Sequence, residues 1–211
     1  MLLTSDWQVY SPFLYFREVE ARRRDVVVID LQLLRRPWYY DYLWRSFPEA
    51  MGKVRAEVDA YLEDLHAWDV YQRDAARSRR INERFFGMIL ALVARHRQSG
   101  PVYVTRDVVL PAFAVDKELP PLLAQRYALV PQGIVFELSS DRTFREPHRA
   151  ALRMRGLFDG TIPVEGDDVV SLKVRPVYLT MVTSRGLYLA GHGRLDQAKG
   201  AFREALALDP G

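Results

Sequence analysis

The seven-residue run Asp25-Val26-Val27-Val28-Ile29-Asp30-Leu31 constrains this fold more than any other part of the chain. Val and Ile follow one another with no polar alternation, the pattern of a strand covered on both faces. Its flanks say what covers it. Met1 to Ser5 is a short apolar run ending in turn formers and reads as a strand. Asp6 to Pro12 reads as a loop, and Pro12 suits the first turn of a helix continued by Phe13, Leu14, Phe16, Val19 and Glu20. That helix ends at Arg22, Arg23 and Arg24, where positive charge complements the helix dipole. Strand, helix and strand within about 30 residues predict a βαβ unit with a parallel pair.

Further elements extend the pattern. Pro37 opens an aromatic helix, and Val54, Val58, Tyr61, Leu62, Leu65 and Trp68 recur at helical spacing after Pro48. Ile81, Phe85, Ile89, Leu92 and Val93 mark one face of a second long helix, stopped by Ser99-Gly100-Pro101. Pro101–Thr105 reads as a third strand, Glu118–Tyr127 as a helix, and Gly133–Leu138 as a fourth strand. Residues 1–158 are therefore expected to form an α/β domain. Its sheet would be four-stranded and mainly parallel, with helices on both faces. A Gly-, Pro- and Asp-rich stretch, Gly156–Asp168, reads as a linker, and residues 167–211 as helical.

The last stretch resembles a tetratricopeptide repeat, a pair of helices of about 34 residues. Gly186 and Ala198 are small where two helices must approach, Gly193 sits at the turn, Phe202 fills the groove, Ala205 follows, and Pro210 ends the second helix. The aromatic and leucine usual in the first helix fall instead on Val182 and Arg185, and Leu189 stands for the usual tyrosine. One repeat cannot bury its own apolar face. The hairpin therefore either continues in further repeats or packs on the α/β domain, and the chain reads as a piece of a larger protein.

Several functions are excluded by composition and motif. With 49% hydrophobic and 27% charged residues the chain is not generally disordered. Zero cysteines remove disulfides, thiol catalysis and Cys-zinc sites. Basic clusters at Arg22–Arg24, Arg35-Arg36 and Arg77, Arg79 and Arg80 are interleaved with acids, and the net charge is only +3, so no nucleic-acid partner is expected. Phe85–Val93 is far short of the ~20 apolar residues of a membrane span, and no span is expected here. The first strand–helix junction, Thr4-Ser5-Asp6-Trp7-Gln8-Val9-Tyr10-Ser11-Pro12, has no glycine to wrap a pyrophosphate. His66, His96, His148 and His192 share no ligand spacing, and no Gly-x-Ser-x-Gly elbow occurs. No cofactor, metal or catalytic residue is assigned.

What remains is the rim beyond the carboxyl ends of the strands, where open parallel sheets bind ligands. Asp6, Trp7, Tyr10 and Ser11 follow the first strand; Asp30, Gln32, Trp38, Tyr39 and Tyr40 the second; Arg106 and Asp107 the third. Carboxylates for hydroxyls and flat rings for C–H faces suit a sugar-like or peptide ligand. Asp6, Trp7, Tyr10, Asp30, Trp38, Tyr39 and Asp107 are the candidate ligand-binding residues. The alternative reading makes the rings core and the aspartates helix caps.

Residues 2–43 resemble a segment of a family of polytopic membrane proteins, first catalogued as a domain of unknown function and linked to GT-C-type protein O-mannosyltransferases. The matching features are Asp6, Tyr15, Arg24-Asp25-Val26, Leu33-Leu34, and Trp38-Tyr39 followed by Leu43. Trp7-Gln8 stands where that family's loop often bears glycine. The resemblance implies an extracytoplasmic, non-catalytic accessory domain of a membrane glycosyltransferase-like protein. It would help place an acceptor protein, sugar or glycolipid, with a protein partner bound through the repeat. Catalysis in such proteins is carried by an acid near the first spans, so no catalytic residue transfers here. The competing expectations are a stand-alone enzyme using Asp6, Asp30 and Asp107, and a purely structural scaffold.

Overall fold

A computed structural model describes residues 1–70, 75–149 and 170–208. The chain forms two compact units, Met1–Gln125 and Arg126–Gly211. The first is built on three parallel strands, β1 (Leu2–Thr4), β2 (Val28–Asp30) and β3 (Tyr103–Thr105), with β1 between the other two. Leu3 pairs with Ile29 on one side and Val104 on the other, and all three are fully buried. The register sets Thr4 beside Asp30, so the polar residues that end the apolar runs lie together.

Helix α1 (Trp7–Leu14) starts earlier than its sequence predicts. The Asp6 side chain accepts from the Gln8 N–H and caps the helix, so the expected loop over Asp6–Pro12 is already helical. Pro12 lies inside α1 rather than at its first turn, and the helix loosens into a π-turn over Tyr15–Val19. After β2 come a 3₁₀ turn (Leu33–Arg35), α2 (Pro37–Ser46) and α3 (Pro48–Gly52). The long pair α4 (Arg55–Val70) and α5 (Ala75–Arg97) buries Val54, Val58, Tyr61, Phe85, Ile89, Leu92 and Val93, the residues that set the helical spacing. Asp64 on α4 takes Arg80 and Arg84 of α5 at 3.0 and 2.9 Å. Two short helices follow, α6 (Arg106–Val109) and α7 (Leu119–Arg126).

The second unit opens on an antiparallel pair, β4 (Ala128–Gln132) and β5 (Val135–Ser139). Gly133, at φ 71°, takes the first place of the two-residue turn, which a primed hairpin turn requires. The expected sheet is corrected on two counts. The fold is α/β, but the described residues hold five strands of mixed direction, not four mainly parallel ones. The expected strand Gly133–Leu138 began on turn residues, and Pro131 masked the strand before it.

Helices α8 (Arg175–Gly191) and α9 (Leu195–Leu208) form the C-terminal hairpin, with α8 against β4. Met181, Val182, Ala201, Ala205 and Leu208 pack together, and Ala198 is buried. Phe144, from the loop after β5, stacks on Tyr188, and Arg194 lies over the Phe144 ring. Elements of the same unit thus give the single helix pair a neighbour. The Arg194 N–H reaches Leu189 O, the Gly193 N–H reaches Ala190 O, and Gly193 has φ 73°: a Schellman end to α8. The linker expected over Gly156–Asp168, and with it the boundary between residues 158 and 167, lies outside the described residues, as do Pro210 and the side chain of Trp68.

A methyl group at Gly186 would stand 2.6 Å from the Phe202 ring. Overpacking costs about 1–3 kcal/mol and alanine's helix propensity returns about 1. Gly186→Ala is therefore expected to lower stability by about 0–2 kcal/mol in denaturant titration. Adding Phe202→Leu should recover part of that loss; fully additive losses would show that the ring and Gly186 are not coupled.

Candidate functional site

Beyond the carboxyl ends of β1, β2 and β3 lies a floor of hydroxyls. Thr105 Oγ1 donates to Thr4 Oγ1 at 3.0 Å, and Thr4 Oγ1 also accepts the Asp6 N–H at 3.0 Å. Both threonines are buried, Thr4 completely. Neither was among the expected site residues. The signal that could have found them is the place of each at the polar end of an apolar strand.

Three carboxylates surround this floor, each holding backbone. Asp6 Oδ1 accepts the Gln8 N–H at 2.8 Å. Asp107 Oδ2 accepts the Ser5 N–H at 2.6 Å, joining the segments that follow β3 and β1. Asp30 Oδ1 accepts from the Gln32 and Leu33 N–H groups at 2.8 and 3.1 Å. The helix-cap reading therefore holds for Asp6; Asp30 instead closes the turn after β2, and Asp107 ties the segment after β3 to the one after β1. Asp30 is 3% exposed, and burial holds its carboxyl above the usual carboxylate range. The two backbone bonds pull the other way, while Asp107 and Asp6 are near enough to add to the rise. Gln32, beside Asp30, buries its Nε2 with no hydrogen-bond partner.

The rings divide into two kinds. Tyr10 and Tyr39 are each 1% exposed, and their hydroxyls share a 2.7 Å hydrogen bond. Tyr39 Oη also accepts the Asp30 N–H at 3.2 Å. Burial drives both phenols well above their ordinary range. These two rings belong to the core, as the alternative reading has it, and support the rim from beneath. Tyr40 is core as well, its hydroxyl donating to Leu34 O. Trp7 and Trp38 are 60% and 61% exposed. They end an unbroken series of ring contacts, Trp7–Tyr10–Tyr39–Trp38, each about 6 Å between centroids. Two indoles on a rigid tyrosine base therefore accompany the carboxylates.

The arrangement offers carboxylate acceptors and two open indole faces. Among the described residues no three His, Asp or Glu side chains are grouped to hold a metal ion. Nor is any helix there long and apolar enough to cross a membrane. Compared with known proteins, the chain matches no family model, no curated protein and no solved structure.

The raised Asp30 makes a pH prediction. The folded protein keeps this proton to higher pH than the unfolded chain does. The group's stabilising contribution is thus present at low pH and lost as pH rises from the ordinary carboxylate range through the raised one. Asp30→Asn keeps an oxygen for the Gln32 and Leu33 N–H groups. It is expected to be at least as stable as wild type at neutral pH and to flatten the falling limb in denaturant titrations from about pH 4 to 7. An unchanged limb would place its source elsewhere.

Proposed function

We propose that this chain is a non-catalytic binding module whose rim takes a hydroxyl-rich, sugar-like group. The carrying observation is the pairing of three rim carboxylates with the exposed indoles of Trp7 and Trp38 on a buried tyrosine pair. A sugar presents hydroxyls in its plane and C–H groups above it, so it needs acceptors at the side and flat rings on the face. The unfilled Gln32 Nε2 would donate to a ring or hydroxyl oxygen. The resemblance of residues 2–43 supports a wider setting: an extracytoplasmic accessory domain of a membrane glycosyltransferase-like protein, placing an acceptor. The hairpin is the proposed seat of a protein partner, and exposed Leu187, Leu195 and Leu206 supply apolar surface for it.

One observation favours a second reading. A carboxyl held above its ordinary range beside two others is the setting of a general acid. In that reading the chain is an enzyme and Asp30 its acid. The two readings part in one set of assays on the purified chain. Titration with methyl α-mannoside and with a mannosylated peptide, followed by tryptophan fluorescence, should show saturable binding. Trp7→Ala and Trp38→Ala should each weaken it by about tenfold, a loss of about 1.4 kcal/mol, without lowering Tm by more than a few degrees. Binding unchanged by both substitutions would leave the rim as scaffold. Turnover of a mannosyl donor by this chain alone, abolished in Asp30→Asn, would overturn the non-catalytic reading in favour of the enzyme.

A further inference from the structure

The opposite end of the strands in the first unit holds an open cleft of about 460 Å³, within the ~300–1,000 Å³ range of ligand pockets. Val27, which leads into β2, and Phe47, Pro48 and Ala50 form its apolar side, with Lys53, His96 and Ser99 on the polar side. The Lys53 ammonium donates to Ser99 Oγ at 2.9 Å, and Ser99 Oγ donates to the His96 carbonyl at 3.1 Å. The polar groups thus form one connected set fixed to the last turn of α5.

The His96 ring has a defined orientation. Its Nδ1 lies 2.9 Å from Leu92 O. A carbonyl only accepts, so Nδ1 carries the proton and a neutral ring offers Nε2 as a lone-pair acceptor. The ring is 8% exposed, and burial lowers its pKa; the bond to the Leu92 carbonyl and Glu49 act against this, while Lys53 and the N-terminal ammonium add to it. Lys53 is the cation left to the cleft. Arg95, nearest on α5, is engaged by Lys53 O and the Glu57 carboxylate. Glu49, which also lines the cleft, is the acid paired with Lys53, 3.8 Å away with its side chain 92% exposed, a pair of little strength that an incoming anion can replace. The cleft is therefore lined by one loosely held ammonium and one imidazole of fixed orientation, together with apolar side chains.

We propose that this cleft is a second ligand site, for a small molecule carrying an anionic group and a hydroxyl, the anion on Lys53 and the hydroxyl donating to His96 Nε2. It is independent of the rim and of what binds there. Glycerol 3-phosphate has both groups, inorganic phosphate has the anion, and glycerol has the hydroxyls. Calorimetric titration of the full chain with each, at constant ionic strength and about pH 7.5 (where His96 is neutral), tests the proposal. Glycerol 3-phosphate should bind at least about tenfold more tightly than phosphate or glycerol, and Lys53→Met should weaken it by about tenfold or more. Lys53 is part-exposed, so that variant is expected to fold; circular dichroism checks it. The His96 Hε1 resonance of wild type should move on saturation, which reads the acceptor without a variant of a buried residue. Trp7→Ala should leave all of this unchanged. Equal affinity for phosphate and glycerol 3-phosphate, retention of binding in Lys53→Met, or a stationary His96 resonance would each overturn the proposal.

Discussion

The parallel pairing of β1 with β2 and β3 is the constraint on which the first unit depends. Three strands of three residues each are short, and the pairing persists because Leu3, Val28, Ile29 and Val104 are removed from water almost entirely. Parallel direction has a second effect. It brings the ends of all three apolar runs to one edge, so Thr4, Asp30 and Thr105 meet there although β3 comes a hundred residues after β1. A slip of one residue would turn Asp30 from the hydroxyl floor and put an apolar side chain in its place.

That edge also shows how a buried carboxylate is accommodated. Burying Asp30 is unfavourable, and the burial is offset by two main-chain N–H groups that its carboxylate accepts. Asp6 and Asp107 perform the same service for Gln8 and Ser5. Each carboxylate thus terminates a local backbone segment through one oxygen and retains acceptor capacity in the other. Tyr10 and Tyr39 complete the arrangement from below, where a phenol that neither ionises nor moves holds the Asp30 main chain and spaces two exposed indoles. Backbone anchor and proposed site are therefore two uses of the same side chains.

The second unit solves a different problem. Two helices alone leave an apolar face open, and here β4 and the ring of Phe144 lie against α8. Arg185, on the face where the repeat pattern would carry leucine, pairs loosely with Glu204 at 3.6 Å and leaves its Nε without a partner. A guanidinium there exchanges apolar packing for a loose ion pair.

Much of this was legible in the residues themselves. The uninterrupted Val-Ile run announced a covered strand and the helical spacing from Val54 to Val93 announced the long helices, because each depends on neighbours a few residues away; Gly186 and Ala198 announced a close helix approach, and the fold added that Phe202 is what Gly186 makes room for. The start of α1 was misread because Pro12 is a strong local signal while the Asp6 cap depends on its rotamer. Strand β4 was missed because Pro131 reads as a breaker, and only pairing with β5 reveals the strand. The identity of the rim aspartates and indoles is a property of the sequence. Which rings are open and which are core is a property of the fold, for Trp7 and Tyr10 differ in exposure only through what packs on them. His96 is the plainest case. Its spacing marks an ordinary helix residue, and only the tertiary structure, by fixing Nδ1 on Leu92 O and placing the residue with Lys53 on the wall of a cleft, makes its other nitrogen the proposed acceptor.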